Sequence, residues 1–376
     1  MNPIWLLMFA IGIIGSNSLV LSPIATDVAA SFPSRSAPDV MLASAIYGAG
    51  TALSALVLAP RADQIGLSRA LLWALIGLAV ALGLSAGATN LWVLVTAQAA
   101  AGLAAGLALP AIYGLAAEIA PDGRASETLG KVLTGWTLSL VAGVSLSAIL
   151  ADILHWRAVF GVMCVASALI LVALRYSAMP GNVAAGVRTS PIRALGIPGL
   201  PPILGAVACY MVAFYGLYAF LGTHLTTQLG FSTALAGVAT LSYGVGFGVV
   251  APLDRLIDRY GATQSAPFVF AALLCIYLGL CVTAPSGVFV LCMCFLWGAA
   301  NHLGLNILVG QLTALSPAQR ATILGLYSAV TYIAMFIGTS AFKPVFEGYG
   351  FAATALVSAI CIAPAFFGAM WRRARG

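Results

Sequence analysis

Apolar residues run through this chain in long unbroken stretches, interrupted at intervals by short clusters of Gly, Pro and charged residues. The stretches are continuous and not alternating, so they read as helices. A helix needs about 20 apolar residues to cross the hydrocarbon core of a bilayer, and only helices or closed barrels satisfy their backbone hydrogen bonds there. Cutting at the breaks predicts about twelve spans, near residues 4–27, 40–60, 70–88, 91–119, 128–151, 157–176, 199–222, 234–253, 263–283, 287–314, 321–343 and 351–371. The connections are short, which makes consecutive spans antiparallel neighbours. The predicted fold class is an all-α polytopic membrane protein.

Composition points the same way. Only 7% of the residues are charged and 62% are hydrophobic, with a mean hydropathy of +1.06. A soluble domain carries about 25% charged residues, so this chain must be solvated by lipid. The opening "MNPIWLLMFAIGIIG" lacks a positive leader, and its apolar run is too long for a signal peptide, so a retained first span is expected.

Charge predicts orientation. With a cytoplasmic amino terminus, thirteen basic residues fall in cytoplasmic loops, and only Arg35, Arg157 and Lys343 lie outside. Both termini are thus expected on the cytoplasmic side of the cytoplasmic (inner) membrane. The net charge of +6 is spread over these loops and forms no aromatic-interleaved groove, so no nucleic-acid partner is expected. The seven cysteines lie almost entirely inside spans without Cys-x-x-Cys spacing and read as packing residues.

Catalytic signatures are weak. "GLSAG" (83–87) matches Gly-x-Ser-x-Gly by letters but lies in an apolar span, and "GVGFG" (244–248) is too short and too deep for a dinucleotide loop. No paired histidines or clustered carboxylates suggest a metal. An enzyme, a cofactor and a metal site are therefore not expected.

The longest polar, Pro/Gly-rich interruption, "SAMPGNVAAGVRTSPIRALGIPGLPP" (177–202), falls near the middle. It divides the chain into an N-terminal six-helix bundle (1–176), a cytoplasmic linker (177–198) and a C-terminal six-helix bundle (199–376). Loops on either side match. "RADQIG" and "RLIDRYG" share an Asp followed three residues later by Gly, with Asp63 and Asp258 195 positions apart. "APDGRAS" and "SPAQRAT" share Pro and Arg-Ala-Ser/Thr, with Arg124 and Arg320 196 apart. The matches argue for internal duplication, a signature of transporters that alternate access to a site near the midplane.

These loops resemble those of the major facilitator superfamily, and within it the twelve-span drug/proton antiporter and sugar-efflux-like branch. The family's Gly-x-Leu-x-Asp-Arg-x-Gly-Arg-Lys loop is partly kept in "APRADQIGLSR" at Asp63 and Gly66. It is better kept in "DRLIDRYGAT" at Leu256, Asp258, Arg259 and Gly261. "EIAPDGRAS" is similar to the family's acidic fourth-span end, which places Glu118 and Arg124 in the same loop system. The resemblance implies a cytoplasmic latch of Asp63, Gly66, Glu118, Arg124, Asp258, Arg259, Gly261 and Arg320. Physically, the glycines allow tight turns, while carboxylates meet helix N-termini or Arg.

"GWTLSLVAGVSLSAILADILHWRAVF" resembles the family's Gly-rich fifth span and the Trp-Arg-x-x-Phe opening of the sixth. Gly143, Trp156, Arg157 and Phe160 match, but Ser145 stands where relatives often carry Pro. In "QAAAGLAAG" Gln98 replaces the family's Arg, which puts proton transfer by that route in doubt. Gln98, Gly102 and Gly106 share one face and read as packing.

Intramembrane ionisable groups are expensive, so each is a functional candidate. His302 lies about halfway along the tenth span, and Asp27 near the external end of the first; these are the proton-coupling candidates. In "NHLGLNILVG" His302 and Asn306 share a face, and Trp297 and Asn301 share another. A polar arc of this breadth belongs toward protein or water, which aims it at a central cavity. Asn17, Tyr47, Tyr215, Tyr218, Tyr243, Tyr327 and Tyr332 are the further lining candidates, offering apolar area with one polar tip.

A lining without fixed charge predicts a small neutral, weakly charged or amphipathic organic substrate. The expected function is secondary transport by alternating access. Proton-coupled efflux is implied by the family branch, with an uncoupled or uptake carrier as the alternative. Similarity to the family also implies that a monomer works alone.

Overall fold

The computed structural model describes residues 3–58, 65–121, 124–177, 191–316 and 319–375, without the side chains of 125–127, 191, 192, 258, 320, 321 and 375. Every regular element among the described residues is helical. The chain divides into two compact units, Met1–Arg188 and Thr189–Gly376.

The first unit begins with α1 (Pro3–Leu19) and α2 (Leu21–Ala30), bent by 53° at their junction. The single straight span expected over 4–27 is therefore a broken one. Helix α3 (Ala37–Val57) starts on a capping box. The Ser36 hydroxyl accepts from the Asp39 amide at 3.3 Å, and the Asp39 carboxylate accepts from the Ser36 amide at 2.9 Å. Helix α4 (Leu67–Ala86) follows, and then α5 (Leu91–Glu118), whose start is capped by Asn90 accepting from the Val93 amide at 3.1 Å.

The span expected over 128–151 corresponds to a membrane-length stretch, Thr128–Ile153. Within it α6 (Ala125–Leu138) passes through a π-helical segment, Ser139–Val144, into α7 (Ser145–Ile153). The Ser145 hydroxyl donates to the Leu140 carbonyl five residues back, at 3.2 Å. The backbone irregularity thus sits beside the position where relatives place Pro, although this chain carries no Pro there. Helix α8 (Trp156–Arg175) completes the unit. Its opening is pinned by Trp156, whose indole N–H donates to Ser31 Oγ at 2.9 Å. Arg157 lies over the Trp156 ring at 4.5 Å and donates to the Ala88 carbonyl at 2.8 Å.

The second unit contains α9 (Leu200–Thr223), which continues as a π-helical turn over His224–Gln228, and α10 (Thr233–Val249). A 3₁₀ turn, Ala251–Leu253, leads into the short α11 (Asp254–Tyr260). Then come α12 (Ala262–Thr283), α13 (Gly287–Leu315) and α14 (Arg320–Arg375).

Among the described residues, ten helical stretches are long and apolar enough to cross a membrane, or eleven if the bent pair α1–α2 is one span. The last stretch, Thr322–Ala374, has 53 residues. As one helix it would be about 80 Å long, far more than a hydrocarbon core of about 30 Å. Gly350, at φ 78° and ψ −173°, breaks it into two membrane-length pieces. The series is consistent with twelve spans.

The duplication read from the loops recurs in the backbone. Gly66 (φ 89°, ψ 135°) and Gly261 (φ 88°, ψ 142°) hold the same left-handed conformation immediately before α4 and α12. It recurs again in packing. On α5, a Cβ on Gly102 would overlap the Tyr47 carbonyl of α3; on α13, a Cβ on Gly298 would overlap the Tyr243 carbonyl of α10. Gly50 against Ala99 and Gly246 against Phe295 repeat the same relation. Each of these four correspondences has an offset of 196 residues. Close backbone approach through small residues is how membrane helices gain contact where lipid gives no hydrophobic drive.

Candidate functional site

In the first unit, Asn17 and Gln98 bond amide to amide: Asn17 Nδ2 donates to Gln98 Oε1 at 3.0 Å, and Gln98 Nε2 donates back to Asn17 Oδ1 at 3.3 Å. Gln98 Nε2 also donates to Ser85 Oγ at 3.1 Å. All three side chains are buried. Gly102 and Gly106 pack as expected, but Gln98 is not a mere packing residue: it ties α5 to α1 and α4. Tyr47, fully buried, donates from its hydroxyl to the Ile14 carbonyl at 3.3 Å. That carbonyl lies within α1, and Ser16, Ser18 and Ser139 likewise bond backbone carbonyls near the bend and the π segment.

The second unit gathers an aromatic cluster centred on Phe214. Its ring lies 5.0 Å from Tyr215, 5.4 Å from Tyr218, 5.6 Å from Tyr243 and 5.4 Å from Trp297. The Trp297 indole N–H donates to the Tyr277 hydroxyl at 3.2 Å, and Asn301 Nδ2 donates to the Tyr243 hydroxyl at 2.8 Å. Tyr210 donates to the Asn301 backbone carbonyl at 2.7 Å. Asn301 Oδ1 is buried and has no hydrogen-bond partner among the described residues. The cluster therefore offers apolar ring faces and one unused acceptor, which suits a small organic molecule with a donor group.

The structure thus brings Tyr215, Tyr218, Tyr243, Trp297 and Asn301 together. Tyr332 is buried, whereas Tyr327 and Asn306 are half-buried. Phe214, Tyr210, Tyr277 and Phe247 belong to the same region but were not singled out by sequence. The signal for two of them is positional, since Tyr210, Phe214 and Tyr218 repeat at four-residue intervals along α9.

His302 is not a lone imidazole. Its Nε2 lies 3.0 and 3.2 Å from the two Asp254 carboxylate oxygens, and its ring packs edge-on against Phe247 at 4.8 Å. Asp254 opens α11, directly after the 3₁₀ turn. The 3₁₀ turn after α10 is what carries it to α13. Asp27, on α2, is partly buried, with Oδ2 buried and unpartnered among the described residues.

Of the expected latch, Gly66 and Gly261 take the turn-forming conformation, and Glu118 and Arg124 are both exposed, with no ion pair between them among the described residues. Arg259 is exposed and lies over the Tyr260 ring at 5.6 Å. Asp63, and the side chains of Asp258 and Arg320, lie outside the described residues.

Membrane-length helices in two units with a repeated helix crossing, each holding buried polar groups, define a polytopic membrane protein. A sequence model of the Major Facilitator Superfamily matches residues 4–339, and the chain belongs to that superfamily. It is 28% identical over 354 residues to the uncharacterized MFS-type transporter YwfA of Bacillus subtilis (strain 168), covering 92% of this chain and 85% of that one. It is 25% identical over 347 residues to the MFS-type transporter YceJ of the same organism, covering 90% and 88%.

Among solved structures, a D-xylose-proton symporter superposes with a TM-score of 0.79 at 16% identity, covering 98% of this chain and 96% of that one. The human organic anion transporter MFSD10 does so with 0.74 at 15%, covering 98% of each. At these identities the likeness is one of fold. The chain is an integral membrane transporter, and its family binds small-molecule substrates.

Proposed function

We propose that the chain is a secondary transporter for a small neutral, weakly charged or amphipathic organic solute, working by alternating access as proton-coupled efflux. The observation that carries the substrate class is the Phe214-centred cluster: five aromatic rings and a buried Asn301 acceptor, with no fixed charge among them. A multiply charged anion would find no counter-charge there. The structural neighbours include a sugar symporter and an organic anion transporter, so the shared fold serves both and the side chains decide.

Efflux and proton coupling rest on the resemblance to the antiporter branch and on His302 and Asp27 as titratable groups. An uncoupled or uptake carrier is the second reading, favoured by Gln98 standing where relatives carry Arg. The excess of cytoplasmic basic residues supports a cytoplasmic-membrane location with both termini inside, and family similarity supports a working monomer.

The test is accumulation of a broad panel of organic compounds in cells lacking their main efflux pumps, with and without this protein, before and after a protonophore. Lowered accumulation that the protonophore restores is the expected result. Raised or protonophore-indifferent accumulation of a compound means uptake or facilitated diffusion instead.

A further inference from the structure

The two repeated crossings diverge one turn beyond Gly102. In the first unit the small-residue stripe on α5 runs Gly102, Gly106, and a Cβ on Gly106 would overlap the Thr51 carbonyl of α3. Moving 196 residues on, Gly102 becomes Gly298, but Gly106 becomes His302 and Thr51 becomes Phe247. A close backbone contact of one half is thus a full side chain in the other. Helix α3 runs unbroken to Val57, whereas α10 stops at Val249 and a 3₁₀ turn follows at positions equivalent to 55–57. Directly after that turn comes Asp254, both of whose carboxylate oxygens reach His302 Nε2.

The pair is mostly sheltered, with 17% of the His302 and 31% of the Asp254 side chain exposed. The other imidazole nitrogen, His302 Nδ1, is buried and has no hydrogen-bond partner among the described residues. One nitrogen is therefore anchored on a carboxylate while the other is left without a partner among the described residues.

We propose that His302 and Asp254 form the proton-binding site of the C-terminal unit, an inference that rests on the transporter reading. In the unloaded state a neutral imidazole donates from Nε2 to the Asp254 carboxylate, and the pair carries one negative charge. Protonation at Nδ1 gives an imidazolium against a carboxylate, with no net charge. Loading thus neutralises the site, and a neutral pair costs far less than a charge to enclose in a low-dielectric interior.

The other groups around the ring do not compete for this role. Phe247 on α10 is apolar. The phenols of Tyr210 (α9), Tyr243 (α10), Tyr277 (α12) and Tyr327 (α14) belong to one neighbouring cluster and are uncharged where an imidazole titrates. Arg255 and Arg259 on α11 are exposed. Asp254 is the charged group that the described residues place on the imidazole.

The experiment uses the full-length chain in lipid nanodiscs with ¹⁵N-labelled histidine. The chain has only three histidines, and His302→Gln assigns the third signal. Over a pH series from about 5 to 8, the His302 ¹⁵N signals are expected to report a proton taken up at Nδ1, and Asp254→Asn to alter that response. Asp254→Glu, which keeps the carboxylate, restores titration if the Asn variant does not fold.

In cells, His302→Gln and Asp254→Asn are expected to lose protonophore-sensitive accumulation differences at least about tenfold while still exchanging solute. An imidazole that stays neutral throughout that range, or that titrates identically without the carboxylate, overturns the proposal. So does loss of coupling in Asp27→Asn alone with both dyad variants still coupled. If the wild-type chain lowers the accumulation of no compound, the efflux reading fails, and the imidazole signals still decide whether the pair binds a proton.

Discussion

Asn17 on α1 and Gln98 on α5 exchange two hydrogen bonds through their amides, at 3.0 and 3.3 Å, although 81 residues separate them in sequence. A buried reciprocal pair satisfies both amides where neither water nor lipid could. Gln98→Leu strands the Asn17 amide and is expected to lower stability by about 1–2 kcal/mol. The Asn17→Leu, Gln98→Leu double variant should lose less than the sum of the single losses. Unfolding in detergent micelles measures both; strictly additive losses would mean the pair does not act as a unit.

The repeated crossings predict where a methyl group is intolerable. Gly298→Ala and Gly102→Ala each drive a Cβ into a backbone carbonyl, which cannot swing aside. Each should destabilise by about 1–3 kcal/mol. Gly310→Ala on the same α13 meets nothing within 4 Å and serves as the control. Thermal melts of the three variants decide the matter, and equal melting points would refute the close approach.

The left-handed glycines predict a conformational penalty. Gly261 at φ 88° leads into α12 in a region that L residues avoid, so Gly261→Ala should cost about 1–3 kcal/mol. Gly66→Ala should behave alike, because its backbone angles are the same within a few degrees. The folded yield of each variant from membranes is the readout. A normal yield from both would show that the turns relax freely.

The aromatic cluster predicts a kinetic effect. Asn301→Leu removes the unused acceptor and the bond to Tyr243, and should raise the KM of any solute identified by the panel at least about tenfold. The rate at saturation should fall less. An unchanged KM would place the solute elsewhere.

Much of the fold was legible because lipid imposes a harsh rule: every span must be apolar and helical, so hydropathy alone located the helices. The duplication was legible in the loops because Asp63/Asp258 and Arg124/Arg320 are rare charges in a chain of apolar residues. The π segment at Ser139–Val144 was not legible, since Ser145 carries the role through a bond to Leu140 that no residue type announces.

The Asp254–His302 pairing was hidden for a different reason. Periodicity orders residues along one helix, whereas this bond joins positions 48 apart and depends on a break after Val249. Pro252 was the available hint of that break. The site was partly legible: Tyr218, Tyr243 and Asn301 were expected, but Phe214, the ring at their centre, looked like any other apolar residue.

A histidine stands where the matching crossing has a glycine, so the two halves differ at a point of close packing on that face. Where Gly106 lies flush on Thr51, the backbones touch with no side chain between them. Where His302 stands, the joint contains a full imidazole held on the Asp254 carboxylate at 3.0 Å. The repeat thus carries a glycine contact in one half and an imidazole–carboxylate pair in the other at the same place. Exchanging the two residues, with Gly at 302 and His at 106, would ask whether proton uptake belongs to the residue or to the half that carries it.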